Sequence, residues 1–173
     1  MLLAREGDGA AFGRLLERHY GFVYRVAYRW CGCRADAEDV AQDVCVRLGR
    51  AIRSYRGAGA FRTWLYALTL NAARDLHRRT RRETAKGEAF RAHALSSAAV
   101  AEAPDTADPV DDLWEAVRQL PDKQRDAVLL VYGEGLSHAD AADVMAISEA
   151  TVSWHVHEAR KRLRVLMREA GEV

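Results

Sequence analysis

The sequence lacks most of what would carry a chain out of a reduced, aqueous compartment. No stretch approaches the roughly 18 consecutive apolar residues that a membrane helix needs, and Met1 to Asp8 has no basic segment followed by an apolar run, so no secretory signal is visible. Cysteine is scarce and odd in number, at three, and Cys31 and Cys33 stand too close to pair easily. A reducing, cytoplasmic setting fits that usage. There is no β-type alternation of any length and no repeat at a fixed period. Enzyme motifs are missing as well: no HExxH, Walker loop, CxxC pair or nucleophile elbow occurs. His19, His77, His93, His138, His155 and His157 are mostly scattered. Cys31, Cys33 and Cys45 with a nearby histidine would be the one candidate metal or redox site, and free cysteines are common packing residues. The expectation is a chain with no catalytic residue, no metal and no cofactor.

What is present is a helical protein of 173 residues, 49% hydrophobic and 29% charged, in the globular range. The formal net charge of +1 hides a pattern. Residues 1–79 carry 14 basic and 8 acidic groups, residues 80–112 carry 4 and 7, and residues 113–173 carry 8 and 10. A basic first part and an acidic middle suggest two pieces joined by a spacer. The composition agrees: from Thr80 to Pro109 the text turns rich in Ala, Ser, Thr, Glu and Asp, with Pro104 and Pro109 near its end. The reading is all-α, with two small helical domains at 1–79 and 110–173 on a flexible linker at 80–109.

Helical spacing and cap residues place the elements. Asp8 is a candidate N-cap for a helix carrying Ala11, Phe12, Leu15, Leu16 and Tyr20. A second helix is expected from Gly21 to Cys31 with Gly32 as its stop, a third from Ala35 to Ile52, a glycine-containing loop at Ser54–Ala60, and a fourth helix from Phe61 to Arg79. The second domain opens with Asp112–Leu120. Pro121 then starts a helix to Tyr132 from the first-turn position. Ser137 caps a short helix ending near Ala146, and Ser148 caps a last helix to Glu169. A short helix, a tight turn and a longer helix form the layout of a helix-turn-helix.

Three helix faces carry information. The third helix turns Ala37, Val40, Ala41, Val44, Cys45 and Leu48 inward and Glu38, Asp39, Gln42, Asp43 and Val46 outward. The outward face is either simply solvated or a docking surface for a basic partner centred on Val46. The fourth helix buries Phe61, Trp64, Leu65, Leu68, Ala72 and Leu76, and shows Arg62, Thr63, Tyr66, Leu70, Ala73, Arg74 and His77 on its other side, with Arg78, Arg79, Arg81 and Arg82 beyond. Cations mixed with an aromatic suit a nucleic-acid strand, which offers phosphates to neutralise and bases to stack; a plain basic helix is the alternative. The last helix buries Val152, Val156, Ala159, Leu163 and Met167 and leaves Thr151, Ser153, Trp154, His157, Glu158 and Lys161 toward solvent, where the N-terminal part of a recognition helix meets base edges. Trp154 is otherwise expected to pack on the preceding helix.

The segments resemble, in order, a known family. GDGAAFGRLLERHY (7–20), RADAEDVAQDV (34–44) and FRTWLYALTLNAARDLHRR (61–79) resemble region 2 of the bacterial RNA polymerase sigma factors, and LPDKQRDAVLLVYGEGLSHADAADVMAISEATVSWHVHEARKRLR (120–164) resembles their region 4. No region 1 or 3 is recognisable, which is the reduced pattern of the extracytoplasmic-function (group 4) sigma factors. The resemblance implies a dissociable polymerase subunit that confers promoter choice. It implies that Asp36, Glu38, Asp39, Gln42, Asp43 and Val46 bind the β′ clamp helices of core polymerase, with the β flap as a second contact. It implies recognition and melting of the −10 element by Ser54, Tyr55, Arg56, Arg62, Thr63, Tyr66, Asn71, Arg74 and Arg78, and reading of the −35 duplex by Thr151, Ser153, Trp154, His157, Glu158 and Lys161. It also implies an anti-sigma factor, often membrane-bound, that holds the protein inactive. The chain departs from the pattern where basic residues are usual at Ser153, His155 and Glu158, and at Ala146 and Ala150, where glycine is usual; Glu158 is expected to accept from a cytosine amino group. The competing reading, a stand-alone helix-turn-helix regulator, leaves the acidic third-helix face without a role.

Overall fold

The computed structural model describes residues 2–55, 61–91 and 109–171. Every regular element among them is helical: α1 (Leu2–Arg5), α2 (Gly9–Cys31), α3 (Arg34–Ala51) with a short 3-10 turn at Ile52–Ser54, α4 (Phe61–Arg91), α5 (Pro109–Arg118), α6 (Asp122–Val128) continued by a π turn at Leu129–Gly133, α7 (His138–Met145) and α8 (Glu149–Gly171). Loop residues 56–60, Arg56 among them, and the central part of the expected linker, 92–108, lie outside the described residues.

The caps form as their side-chain chemistry dictates. Asp8 accepts from the Ala11 N–H at 2.9 Å, Ser137 from Asp140 N–H at 3.0 Å, and Ser148 from Thr151 N–H at 3.1 Å, each relieving one of the unpaired donors of a first turn. Gly32 ends α2 in the left-handed conformation at φ 83°. Several boundaries differ from expectation, among them a short α1 ahead of Asp8 and an α5 that starts at Pro109 rather than Asp112. The first two expected helices are one, α2, because the buried stripe Ala11, Leu15, Val23, Val26 and Trp30 runs unbroken past Gly21, and the cost of about 1 kcal/mol for a helical glycine is too small to break it. Helix α4 continues past Arg79 to Arg91, into the segment expected to be spacer. Pro121 stands at the N-cap of α6, outside the helix (φ −54°, ψ 144°), not at its first turn.

Helices α2, α3 and α4 pack around Val26, Ala27, Val40, Val44 and Leu65, while Ala4, Ala11, Leu15, Leu48 and Ile52 close the far end. The second domain has a small centre of its own at Val117, Leu120, Val128 and Ala159, with Trp114 and Leu163 against it. Met167, expected inside, is 39% exposed because α8 outruns the helices it packs on.

The turn between α7 and α8 carries Ala146 at φ 52°, the only described non-glycine residue with positive φ. An L-residue there costs roughly 1–2 kcal/mol that glycine does not incur, partly offset by the greater freedom of glycine in the unfolded chain. Ala146→Gly is therefore expected to raise stability by about 0.5–1 kcal/mol in urea unfolding; an equal or lower midpoint would show that the turn is not strained.

Candidate functional site

The α3 face lies open. Asp39 and Gln42 are exposed and Val46 is 55% exposed. With Asp43, Arg47, Asp75, Leu76 and Arg79 they line a groove between α3 and α4. Arg47 bridges its walls, pairing with Asp43 at 2.7 Å and Asp75 at 2.9 Å. Glu38 is turned to Arg34 at 2.8 Å, and Asp36 sits at the Cys33 end of the helix, so neither lines this groove.

The helix-turn-helix presents Ser153, Trp154, His157 and Lys161 to solvent, with Trp154 55% exposed and edge-on to the His155 ring at 4.9 Å. Trp154 is thus free of the preceding helix. The face is pre-set by short contacts: Ser153 Oγ meets His138 Nδ1 of α7 at 2.8 Å, Thr151 Oγ1 meets Ser148 Oγ at 2.7 Å, and Lys161 Nζ donates to Glu158 Oε1 at 2.9 Å. The Lys161 ammonium beside it holds the Glu158 carboxyl below its ordinary value.

The outward face of α4 is not open. Arg62, Asn71 and Arg78 remain exposed and Thr63 half-buried, but Tyr66, Leu70 and Ala73 are buried and Arg74 is largely so. The second domain packs on them, together with Phe22 of α2 on the Tyr66 ring. Tyr66 Oη donates to Glu134 Oε2 at 2.6 Å, and Arg29 Nη1 donates to Glu134 Oε1 and to the Gly133 carbonyl, both at 2.6 Å. The Trp30 indole N–H donates to Asp126 Oδ1 at 2.8 Å, while Arg74 Nε stands 3.3 Å from Asp126 Oδ2. Arg74 Nε gives its proton to the Leu70 carbonyl at 3.2 Å, so its hold on Asp126 is charge without an aligned hydrogen bond. Arg125 lies over the Trp30 ring at 4.3 Å and donates to the Leu120 carbonyl at 3.2 Å. At Gly32 a side chain would collide with the Arg118 side chain of the second domain.

These surfaces can be matched to known proteins. The sigma-70 region 2 model matches residues 15–83 and the sigma-70 region 4 model residues 111–163. The RNA polymerase sigma-H factor of Pseudomonas aeruginosa is 34% identical over 96% of this chain and 93% of its own length. The ECF RNA polymerase sigma factor SigM of Mycobacterium tuberculosis is 34% identical over 93% of this chain and 79% of its own. The chain belongs to the extracytoplasmic-function RNA polymerase sigma factors. Such a sigma factor is a transcription initiation factor that directs core polymerase to promoters. Two solved structures share the fold: CnrH in complex with the cytosolic domain of CnrY (25% identity, TM-score 0.67, 97% and 94% of the two chains). The other is the sigma factor RpoE in complex with the anti-sigma factor NepR from Bartonella quintana (23%, TM-score 0.69, 91% and 97%).

In this sigma factor, region 2 and region 4 therefore meet through side chains that sequence reasoning did not single out: Arg29, Trp30, Arg125, Asp126 and Glu134. The available signals were faint: Leu70 and Ala73 on a face read as polar, and the run Gln124–Arg125–Asp126, polar yet buried. The three cysteines are free thiols, and burial pushes the Cys31 thiol up to about 12, so it stays protonated. Among the described residues no helix is long and apolar enough to cross a membrane.

Burial pushes the Asp126 carboxyl up to about 6, against the opposing pull of Arg74, the Trp30 bond and Lys123, with Asp122 adding to the rise. His77 of α4 lies 3.4 Å from Asp122 at the same edge. Folded Asp126 thus holds its proton more tightly than the unfolded chain, whose carboxyl has its ordinary value of 3.8. Its contribution is most favourable below that value, declines as pH rises toward about 6, and is level above. The unfolding free energy of the wild type relative to Asp126→Asn is expected to fall by about 3 kcal/mol across that window in urea titrations; a pH-independent difference would show that Asp126 titrates normally.

Proposed function

We propose that this sigma factor works through three surfaces on two domains, residues 1–79 and 110–173, joined by a spacer at 80–109. The α3 face of Asp36, Glu38, Asp39, Gln42, Asp43 and Val46 receives the β′ clamp helices of core polymerase, and region 4 docks on the β flap. Ser54, Tyr55, Arg56, Arg62, Thr63, Tyr66, Asn71, Arg74 and Arg78 hold and open the −10 element, and Thr151, Ser153, Trp154, His157, Glu158 and Lys161 read the −35 duplex. The chain acts in the cytoplasm, where an anti-sigma factor, membrane-bound or soluble, holds it until needed.

One observation carries the docking assignment: Val46 is 55% exposed among polar and acidic groups on a helix whose other large aliphatic side chains, Val40, Val44 and Leu48, are buried. A half-exposed apolar centre with a polar rim has the make-up of a protein interface. The duplex assignment draws support from Trp154, equally exposed on the second helix of a helix-turn-helix. Two weak readers on one polymerase act at high effective concentration, so a chain of net charge +1 need not bind DNA strongly by itself.

Gel-filtration co-elution with core polymerase tests the docking face. The wild type is expected to co-elute, and Asp39→Ala/Gln42→Ala/Val46→Ala to lose about tenfold or more in affinity. Glu38→Ala, whose carboxylate is already paired with Arg34 at the edge of that face, is expected to lose less, about two- to threefold. A triple variant that binds fully would overturn the docking residues. For region 4, Trp154→Ala in the polymerase complex should weaken the −35 footprint about tenfold, and Glu158→Ala should relax the preference at one base pair. A footprint unchanged by Glu158→Ala removes that residue from the readout.

A further inference from the structure

Among the described residues, Ser153 is the one of the six side chains proposed to read the −35 duplex that is bonded to another helix. Its Oγ lies 2.8 Å from Nδ1 of His138, in the first turn of α7. The other polar contacts of the group are local: Thr151 Oγ1 meets Ser148 Oγ in the turn, and Lys161 Nζ donates to Glu158 Oε1 within α8. His138 is half-buried and Ser153 exposed, so the ring is seated in the protein while the serine stands at the surface.

The charged groups around the ring are engaged elsewhere. Helix α7 packs on α8, α4, α6 and the π turn. On α7 itself, Asp140 accepts from Ser137 Oγ at 2.6 Å. Glu134, after the π turn, accepts from Arg29 and Tyr66, and Arg62 of α4 lies 3.9 Å from it. Lys123 of α6 acts on His155. Glu149 and His157 stand one turn before and one turn after Ser153 on α8. Among the described residues none of these bonds to His138, and Ser153 is its hydrogen-bond partner.

A serine hydroxyl by itself is an indifferent reader, able to donate to guanine acceptors or to accept from a cytosine amino group. The bond to His138 removes that freedom. An imidazole nitrogen is a far stronger base than an alcohol oxygen, so beside the neutral ring the Ser153 proton lies toward Nδ1 and Oγ keeps only lone pairs for the groove. In the charged ring both nitrogens donate; Nδ1–H then occupies Oγ, and the Ser153 proton is free for a base. We propose that His138 is a specificity-determining positioning residue of the −35 site. Its ring sets the polarity of the Ser153 hydroxyl, which reads a base amino group beside the neutral ring and a base acceptor beside the charged one. The inference rests on the −35 assignment of the preceding section and adds to it a residue from the other helix. Holding the hydroxyl in advance also spares rotamer freedom that a loose serine would lose on binding.

The test uses the holoenzyme, this chain on core polymerase. Promoters are selected from a pool randomised across the −35 element at about pH 8 and about pH 6, within the range over which imidazoles change charge. Base frequencies are compared position by position within each pool, so a general effect of pH on polymerase cancels. Ser153→Ala marks the position, flattening the preference there and nowhere else. At that position the wild type is expected to favour cytosine over guanine about fivefold or more at the higher pH, and to lose or reverse the preference at the lower. His138→Phe keeps a ring without its nitrogens, and should bring the two bases within about twofold of each other at both pH values. His138→Asn, whose carbonyl takes the hydroxyl proton and does not titrate, should keep the cytosine preference at both. His155 and His157 remain in both variants, so their titration does not account for the difference.

A wild-type preference that ignores pH, or one that survives His138→Phe, would overturn the proposal. If His138→Phe selects no promoters, the wild type and His138→Asn decide it: a pH shift in the first alone supports the proposal, and equal behaviour overturns it. If Ser153→Ala flattens no position the proposal falls, and Trp154→Ala then separates the two failures. A weakened footprint leaves the −35 assignment standing, whereas an unchanged one removes that assignment as well.

Discussion

The indole N–H of Trp30, donated to the buried carboxylate of Asp126, is the contact around which the two domains are organised. Burying a carboxylate is costly unless the site is well furnished, and removal of one partner leaves the other stranded. Here the furnishing comes from both domains. Trp30 and Arg74 belong to region 2, and Arg125, stacked over Trp30, belongs to region 4. Asp126 would lose its hydrogen-bond donor and its nearest cation if the domains parted. The seam therefore has a chemical partner for every region 4 carboxylate it encloses, which an unspecific apolar contact would not need.

Helix α4 is what turns this contact into a functional arrangement. Its inner side completes the region 2 core, its Asp75–Leu76–Arg79 edge forms one wall of the α3 groove, and its outer side lies against α7. With the domains together, Asp39, Gln42 and Val46 stay accessible, and so do Ser153, Trp154 and His157 on α8, while Tyr66 is closed off. The three proposed surfaces are thus not equivalent in this state. The proposed polymerase-docking and duplex-reading faces are presented, and the proposed strand-binding face is covered at Tyr66 and Arg74 while Arg62, Asn71 and Arg78 stay exposed. That division follows from geometry: the first two lie on faces of α3 and α8 that neither domain needs for packing, whereas the third lies where region 4 sits.

Much of this was legible in the amino-acid order, because it depends on neighbours within a turn or two. The caps at Asp8, Ser137 and Ser148, the stop at Gly32, the inward stripe of α3 and the outward placing of Val46 and Trp154 all follow from spacing and side-chain chemistry. The family follows from several such segments in a fixed order. Helix boundaries were less legible where two local signals conflicted. Gly21 and the polar stretch after Arg79 both read as interruptions, and in both places helical continuity prevailed. The π turn after Val128 left no local mark, because the residues that build it, Leu129 to Gly133, suit an ordinary helix equally well.

What only the tertiary structure decided is which of the outward faces remain outward. Tyr66 and Arg74 satisfy every local criterion for a solvent-facing basic and aromatic stripe, and they are covered by Glu134 and Asp126 from a domain that begins beyond the spacer. Trp30 and Asp126, bonded at 2.8 Å, are 96 residues apart in the chain. A helical period reports the direction of a side chain relative to its own axis and nothing about what another domain will lay upon it. The sequence alone thus determined helices, caps, family and candidate surfaces; the packing of region 4 on α4 decided that Tyr66 and Arg74 are covered, because charge pairing across a domain seam depends on distance in space and leaves no periodic trace along the chain.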